Sequence, residues 1–198
     1  QDGSSVVTTG IGSGAGKIAL EGHGADMLGS NFGIYLVGAV LTTSVETIDG
    51  SITFDGFGGM GTSSNIGIAI SGAQTSIATA NGAVNLNGHG GNGTGVFNRG
   101  IEFASGSRLM STGQGTAANG VALTGAGGTG TGEASGILIN GGAMIQTADA
   151  SVSLSGTGGN TGVGASPGVY LYNAGSITST GAASISLQGT GRNIADVY

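Results

Sequence analysis

NIGIAISGAQTSIATANGAVNLNGHGG, residues 65–91, is the stretch from which the rest of the chain is read. It carries three short apolar beats. The first is Gly67 followed by alternating Ile68, Ala69 and Ile70, and it returns as GIYL from Gly33, GIEF from Gly100, GILI from Gly136 and GVYL from Gly168. Those leading glycines lie 34, 33, 36 and 32 residues apart. The second beat runs aliphatic, any residue, hydroxyl. It pairs Val7 with Thr9, Leu41 with Thr43, Ile77 with Thr79, Leu109 with Ser111, Ile145 with Thr147 and Ile177 with Ser179. The third alternates again, with Ile18/Leu20, Ile52/Phe54, Val84/Leu86, Val121/Leu123, Val152/Leu154 and Ile185/Leu187, each trailed by glycines. About six copies of roughly 33 residues fill the chain, a period that marks a repeat architecture.

Alternation puts residues i and i+2 on one face of a strand, so Ile68 and Ile70 point one way and Ala69 the other. Down the copies, one first-beat column is Ile34, Ile68, Ile101, Ile137, Val169, always aliphatic. The column between is Tyr35, Ala69, Glu102, Leu138, Tyr170, with no fixed chemistry. Three short strands per period joined at glycine corners predict an all-β chain. It is a single parallel β-helix (β-solenoid), right-handed by the general crossover preference, in which each coil buries its apolar face only by stacking on the next. One coil per period, with glycine runs such as residues 88–95 as bulging loops, gives six coils and a rod about 29 Å long; two smaller coils per period would double it.

Composition agrees. Forty-six glycines and one proline among 198 residues, with no three-residue period, fit neither collagen nor an ordinary mixed fold. No window sustains apolar residues at i, i+3, i+4 and i+7, so helix is not expected. Hydrophobic residues make up 38% and charged ones 7%, which removes the usual route to disorder. Four basic residues (Lys17, Arg99, Arg108, Arg192) against ten acidic ones give a net charge of −6, which repels phosphate backbones, so no nucleic-acid partner is expected. With no cysteine there is no disulfide framework and no thiolate metal site. No apolar run approaches the roughly 18 residues of a membrane span, and Gln1 is expected to follow a removed leader.

The chain carries little that performs chemistry. His23 and His89 share a repeat position, but two coils, about 10 Å, separate them and Phe57 stands between, so a shared ion is not expected and each is read as a plain loop-surface residue. The glycine runs lack the repeated aspartate of calcium-binding GGxGxD turns and the GK[ST] ending of a phosphate loop. The acids are scattered singly, and no catalytic, cofactor or metal residues are assigned; the chain is not expected to be an enzyme. The second-beat hydroxyls should form a ladder or bond to corner backbone. Asn31, Asn65 and Asn98 fall in register, replaced by Ala134 and Ser166, and are expected to form a stacked amide ladder. An ice-binding threonine grid is disfavoured by the column Thr42, Ala78, Met110, Gln146, Thr178.

The repeated GIxI, GAxIxT and GxIxLxGxGG units resemble those of filamentous-haemagglutinin-like exoproteins and other large bacterial β-helix adhesins. The resemblance implies a secreted or surface-located β-helix that contacts other cells or matrix.

At its start the chain enters at the second beat, and residues 192–198 (RNIADVY) look like the loop and degraded first beat of a further copy. Residues 1–198 are therefore expected to form one solenoid domain, uncapped at both ends, with residues 192–198 donated as a strand to the next subunit. Val6, Val7, Ile194, Val197 and Tyr198 are the candidate subunit-interface residues. The expected function is a structural subunit of an extracellular filament or matrix, assembling head to tail with itself. The alternative is an adhesive module binding glycans or cell-surface components, with Tyr35, Tyr170 and Tyr172 as outer-wall aromatics that stack on sugars.

Overall fold

The computed structural model describes residues 3–115, 118–161 and 164–192. It is all β, wound as a solenoid. The first coil is β1 (Ser5–Thr8), β2 (Ile18–His23) and β3 (Ile34–Val37); the second is β4 (Thr43–Thr47), β5 (Ile52–Phe57) and β6 (Ile68–Ser71). The third is β7 (Thr75–Thr79), β8 (Val84–His89) and β9 (Ile101–Ala104). The fourth is β10 (Arg108–Ser111), β11 (Val121–Ala126), the short β12 (Thr129–Gly130) and β13 (Ile137–Ile139). The fifth is β14 (Met144–Thr147), β15 (Val152–Thr157), the short β16 (Asn160–Thr161) and β17 (Val169–Leu171), after which β18 (Ser176–Ser179) and β19 (Ile185–Thr190) begin a sixth.

Each beat stacks on its own copies. The second beat makes a six-stranded sheet in the order β1-β4-β7-β10-β14-β18, the third a six-stranded sheet from β2 to β19, and the first a five-stranded sheet from β3 to β17. All three are parallel. There is thus one coil per period, and the described residues complete five turns plus two strands of another, slightly short of the six expected. Ile34, Ile68, Ile101, Ile137 and Val169 lie one above the next, as the sequence columns require.

Two registers differ from the sequence reading. In the first two copies the second beat is Val6–Val7–Thr8 and Val45–Glu46–Thr47, because Thr8 pairs with Thr47 and Thr47 with Thr79. Leu41 is 58% exposed in the corner ahead of β4, whereas Val45 is 1% exposed in the core. Thr43 instead opens β4 beside Thr75 and turns its hydroxyl onto the Val37 carbonyl at 2.9 Å, as Thr75 does onto Ser71 at 2.6 Å. The outward column is accordingly Val7, Glu46, Ala78, Met110, Gln146, Thr178, with Glu46 where Thr42 was placed.

The glycine runs are loops only in part, because each begins inside a strand. Gly56 and Gly88 lie inside β5 and β8, third in the inward set after Ile52 and Phe54 or Val84 and Leu86. A Cβ on Gly88 would overlap the carbonyl oxygen of Gly100, because the end of one strand and the start of the next touch backbone to backbone. At the corner that follows, a Cβ on Gly91 would overlap the carbonyl of Gly59 in the coil below, and one on Gly128 that of Gly91. The coil is therefore pinched at this crossing, beyond which the corner holds the buried Asn31, Asn65 and Asn98, while the interior on the other side is filled by aliphatics and by Phe54 and Phe103.

Candidate functional site

The buried polar columns hold the coils in register. Asn31 donates its amide to Asn65 Oδ1 at 3.0 Å, and Asn65 donates to Asn98 Oδ1 at 2.8 Å. Asn98 passes its own amide to the Thr129 carbonyl at 2.6 Å, and the Ser166 hydroxyl accepts from the Ala134 N–H at 3.3 Å. The expected amide ladder is present and internal. The second-beat hydroxyls mostly turn to the corner backbone: Thr8 donates to Gly16, Thr79 to Ile48 and Ser179 to Ala148, while Thr47 lies 2.6 Å from the Gly50 carbonyl and 3.1 Å from Thr79 Oγ1. Thr147 Oγ1 is buried with no hydrogen-bond partner among the described residues.

On the outer wall the candidate aromatics separate. Tyr35 and Tyr170 occupy one column of the first-beat sheet, four coils or about 19 Å apart, with Ala69, Glu102 and Leu138 between them. Tyr170 meets Tyr172 at 5.5 Å between ring centres, while Tyr35 stacks on Phe32 at 4.6 Å. Phe32 was missed in the sequence; its signal is NFGIY, where it precedes Tyr35 by three residues across the corner. The result is two aromatic pairs.

Between them lies the one buried cation among the described residues. Arg99 Nε and Nη2 hold Glu133 at 3.1 and 2.8 Å, Nη1 holds Glu102 at 2.9 Å, and the guanidinium lies 4.5 Å from the Phe97 ring centre. Burial alone would lower the Arg99 pKa, but the Glu133 and Glu102 carboxylates outweigh it and raise it. Burial would likewise raise Glu133, yet the Arg99 and Ser135 hydrogen bonds hold it below the ordinary carboxylate range. The forked pairing occupies two edges of the guanidinium. Phe97 sits at φ 65°, and the turn is secured by its N–H to the Glu133 carbonyl at 2.8 Å.

His23 and His89 are not plain loop positions. They end β2 and β8 and sandwich Phe57, with ring centres 4.7 and 4.9 Å apart and both planes within 6° of parallel. Coil stacking brings the three rings together, so only the register reveals the stack. Among the described residues no three His, Cys, Asp or Glu side chains gather as a metal site.

The candidate interface residues divide in the same way. Val6 belongs to the inward column above Val45 and is 45% exposed at the open side of β1; Val7 points outward, opposite Glu46. Ile185 and Leu187 end the inward columns at the other side, 42% and 50% exposed, a pair the sequence reading used only as core. Ile194, Val197 and Tyr198, with the strand proposed for residues 192–198, lie outside the described residues apart from Arg192. No helix among the described residues is long and apolar enough to cross a membrane. Comparison with protein-family models, curated proteins and solved structures finds no match.

Proposed function

We propose that this chain is a structural subunit of an extracellular filament or matrix, and that its coils continue head to tail into the coils of another copy. The observation that carries the reading is that every coil stacks on the next in the same three-beat register, so one coil offers the surface that another coil needs. Coils of two copies match in kind, since all repeat the same three beats, and a head-to-tail contact between them propagates without closing. The low charge, the absence of a catalytic constellation among the described residues and the adhesin-like repeats support a non-catalytic role outside the cell. Electron microscopy of the purified chain tests it. Fibres about one coil wide are expected, and dispersed single particles at all concentrations would overturn the reading.

A second reading, an adhesive module that binds glycans, is favoured by the aromatic pairs Tyr35/Phe32 and Tyr170/Tyr172, in which Tyr35 and Tyr172 are exposed and their partners half-buried. On a glycan array a Tyr170→Ala variant is expected to lose signal. An array on which wild type and variant are equally silent would remove this reading.

A further inference from the structure

The ring stack on the third-beat sheet stops abruptly. His23, Phe57 and His89 fill three successive rungs, and the next residue in that register is Ala126, followed by Thr157 and Thr190. Beyond His89 the wall opens into a trough of about 330 Å³, at the small end of ligand sites. His89 lies at one end of it. Arg192 lies toward the other, about 14 Å farther along the axis.

The chemistry of the trough is one-sided. Its floor is glycine backbone, and the Gly90, Gly127 and Gly158 N–H groups are already bound to the Ala126, Thr157 and Thr190 carbonyls at 2.8 Å each, so the floor admits close approach and offers no free donors. One wall is a continuous polar column of Asn92, Thr129 and Asn160, tied by the Thr129 hydroxyl at 3.1 Å from Asn92 Oδ1. Arg192 is exposed, and among the described residues no ion pair of its side chain occurs and no carboxylate lines the trough.

We propose that this trough binds a short acidic saccharide, a chain of pyranose rings bearing carboxylates. One ring takes the vacated rung at Ala126 with its C–H face on the imidazole of His89, extending the stack that Phe57 already makes. Ring hydroxyls face the amides and hydroxyl of Asn92, Thr129 and Asn160, which both donate and accept. A carboxylate meets the Arg192 guanidinium, whose planar fork suits it. The chain's net charge of −6 opposes an anion at long range, but at physiological salt that field fades beyond about 8 Å while a direct guanidinium contact persists. An aromatic acid would use the stack and the cation yet leave the polar wall unserved.

The proposal makes the adhesive reading specific in ligand and moves it to a different place on the wall. Isothermal titration of the full chain with a galacturonic acid trimer, a galactose trimer and 4-hydroxyphenylacetate tests it. The acidic trimer is expected to bind at least tenfold more tightly than the neutral one. Arg192→Gln should lose about tenfold. Ala126→Phe should abolish binding, because it fills the rung with the side chain that the same column already accepts at Phe57, and circular dichroism should stay unchanged. Tyr170→Ala should have no effect here, and a loss confined to Tyr170→Ala would assign binding to the tyrosine pair and overturn the trough. Equal affinity for both trimers, binding of the aromatic acid alone, or no binding by the wild-type chain would each overturn it. Should Ala126→Phe misfold, His89→Ala on the exposed surface takes its place: loss of the acidic trimer is expected, and unchanged affinity would overturn the trough.

Discussion

A carboxamide donates from one atom and accepts at another, and Asn65 shows what the ladder makes of that. It accepts from Asn31 and donates to Asn98 while wholly buried. In Asn65→Asp a carboxylate would face Asn98 Oδ1, acceptor against acceptor, so its folded pKa should rise above the unfolded value. The variant should then be least stable at neutral pH and regain stability as pH falls and the protonated acid donates, a trend that urea melts at pH 7 and pH 4 can read. Thr147 presents the opposite case. Its buried hydroxyl has no partner among the described residues, so Thr147→Val should keep or raise the melting temperature. Thr79→Val, which removes a hydroxyl that donates to Ile48 and accepts from Gly82, should cost about 1–3 kcal/mol. Glu133 sets an acid limit: its pKa is depressed, so its contribution is present above the unfolded carboxylate pKa of about 4.3 and fades as pH falls through the lower folded value. Arg99 stays charged throughout. Glu133→Gln should be less stable than wild type at pH 7 and converge with it in thermal melts as pH falls through the depressed folded value. Asp49 and Asp149, held low by the Gly12 and Gly115 N–H groups, add an acid dependence common to both proteins.

At the scale of a strand, the period-two pattern was legible because one face is buried throughout. β5 alternates buried and half-buried along its whole length, and inward Ile52 and Phe54 were identifiable from the sequence, though inward Gly56 was not. The second beat of the early copies was not legible. LTT at residues 41–43 and VET at residues 45–47 both satisfy aliphatic, any, hydroxyl, and only the extra residues of the corner after β3 decide which one enters the sheet. The His–Phe–His stack was hidden for a different reason: ring contact across coils depends on strand register at the end of the beat, and the sequence showed only that the three residues were equivalent. Glycine was read as loop because its lack of a side chain looks the same in a loose turn and in a tight backbone crossing. The distinction is testable: Gly91→Ala should lose at least about 3 kcal/mol and behave as a steric lesion, since its methyl meets the Gly59 backbone. Gly115, with φ 64° and nothing near its Cβ position, marks the other kind of glycine, kept for its dihedral angle.

Across the whole molecule each coil touches only its neighbours, so stability is a sum over coils and contacts between them. Under the head-to-tail proposal, Leu187 at the outer side of β19 is a residue that another copy would bury. Leu187→Lys should leave the folded chain intact, as judged by circular dichroism, and shorten or abolish fibres in micrographs. Fibres of undiminished length would show that the contact lies elsewhere. The hydrogen bonds of all three sheets run along the long axis, each coil hung from the one before. A pull applied through the two termini consequently meets the rungs in sequence, peeling one turn of thread from the spool before the next takes up the load. Such a rod would yield in small equal steps, dissipating work at each one, and on slackening could rewind against the template of the turns still in place.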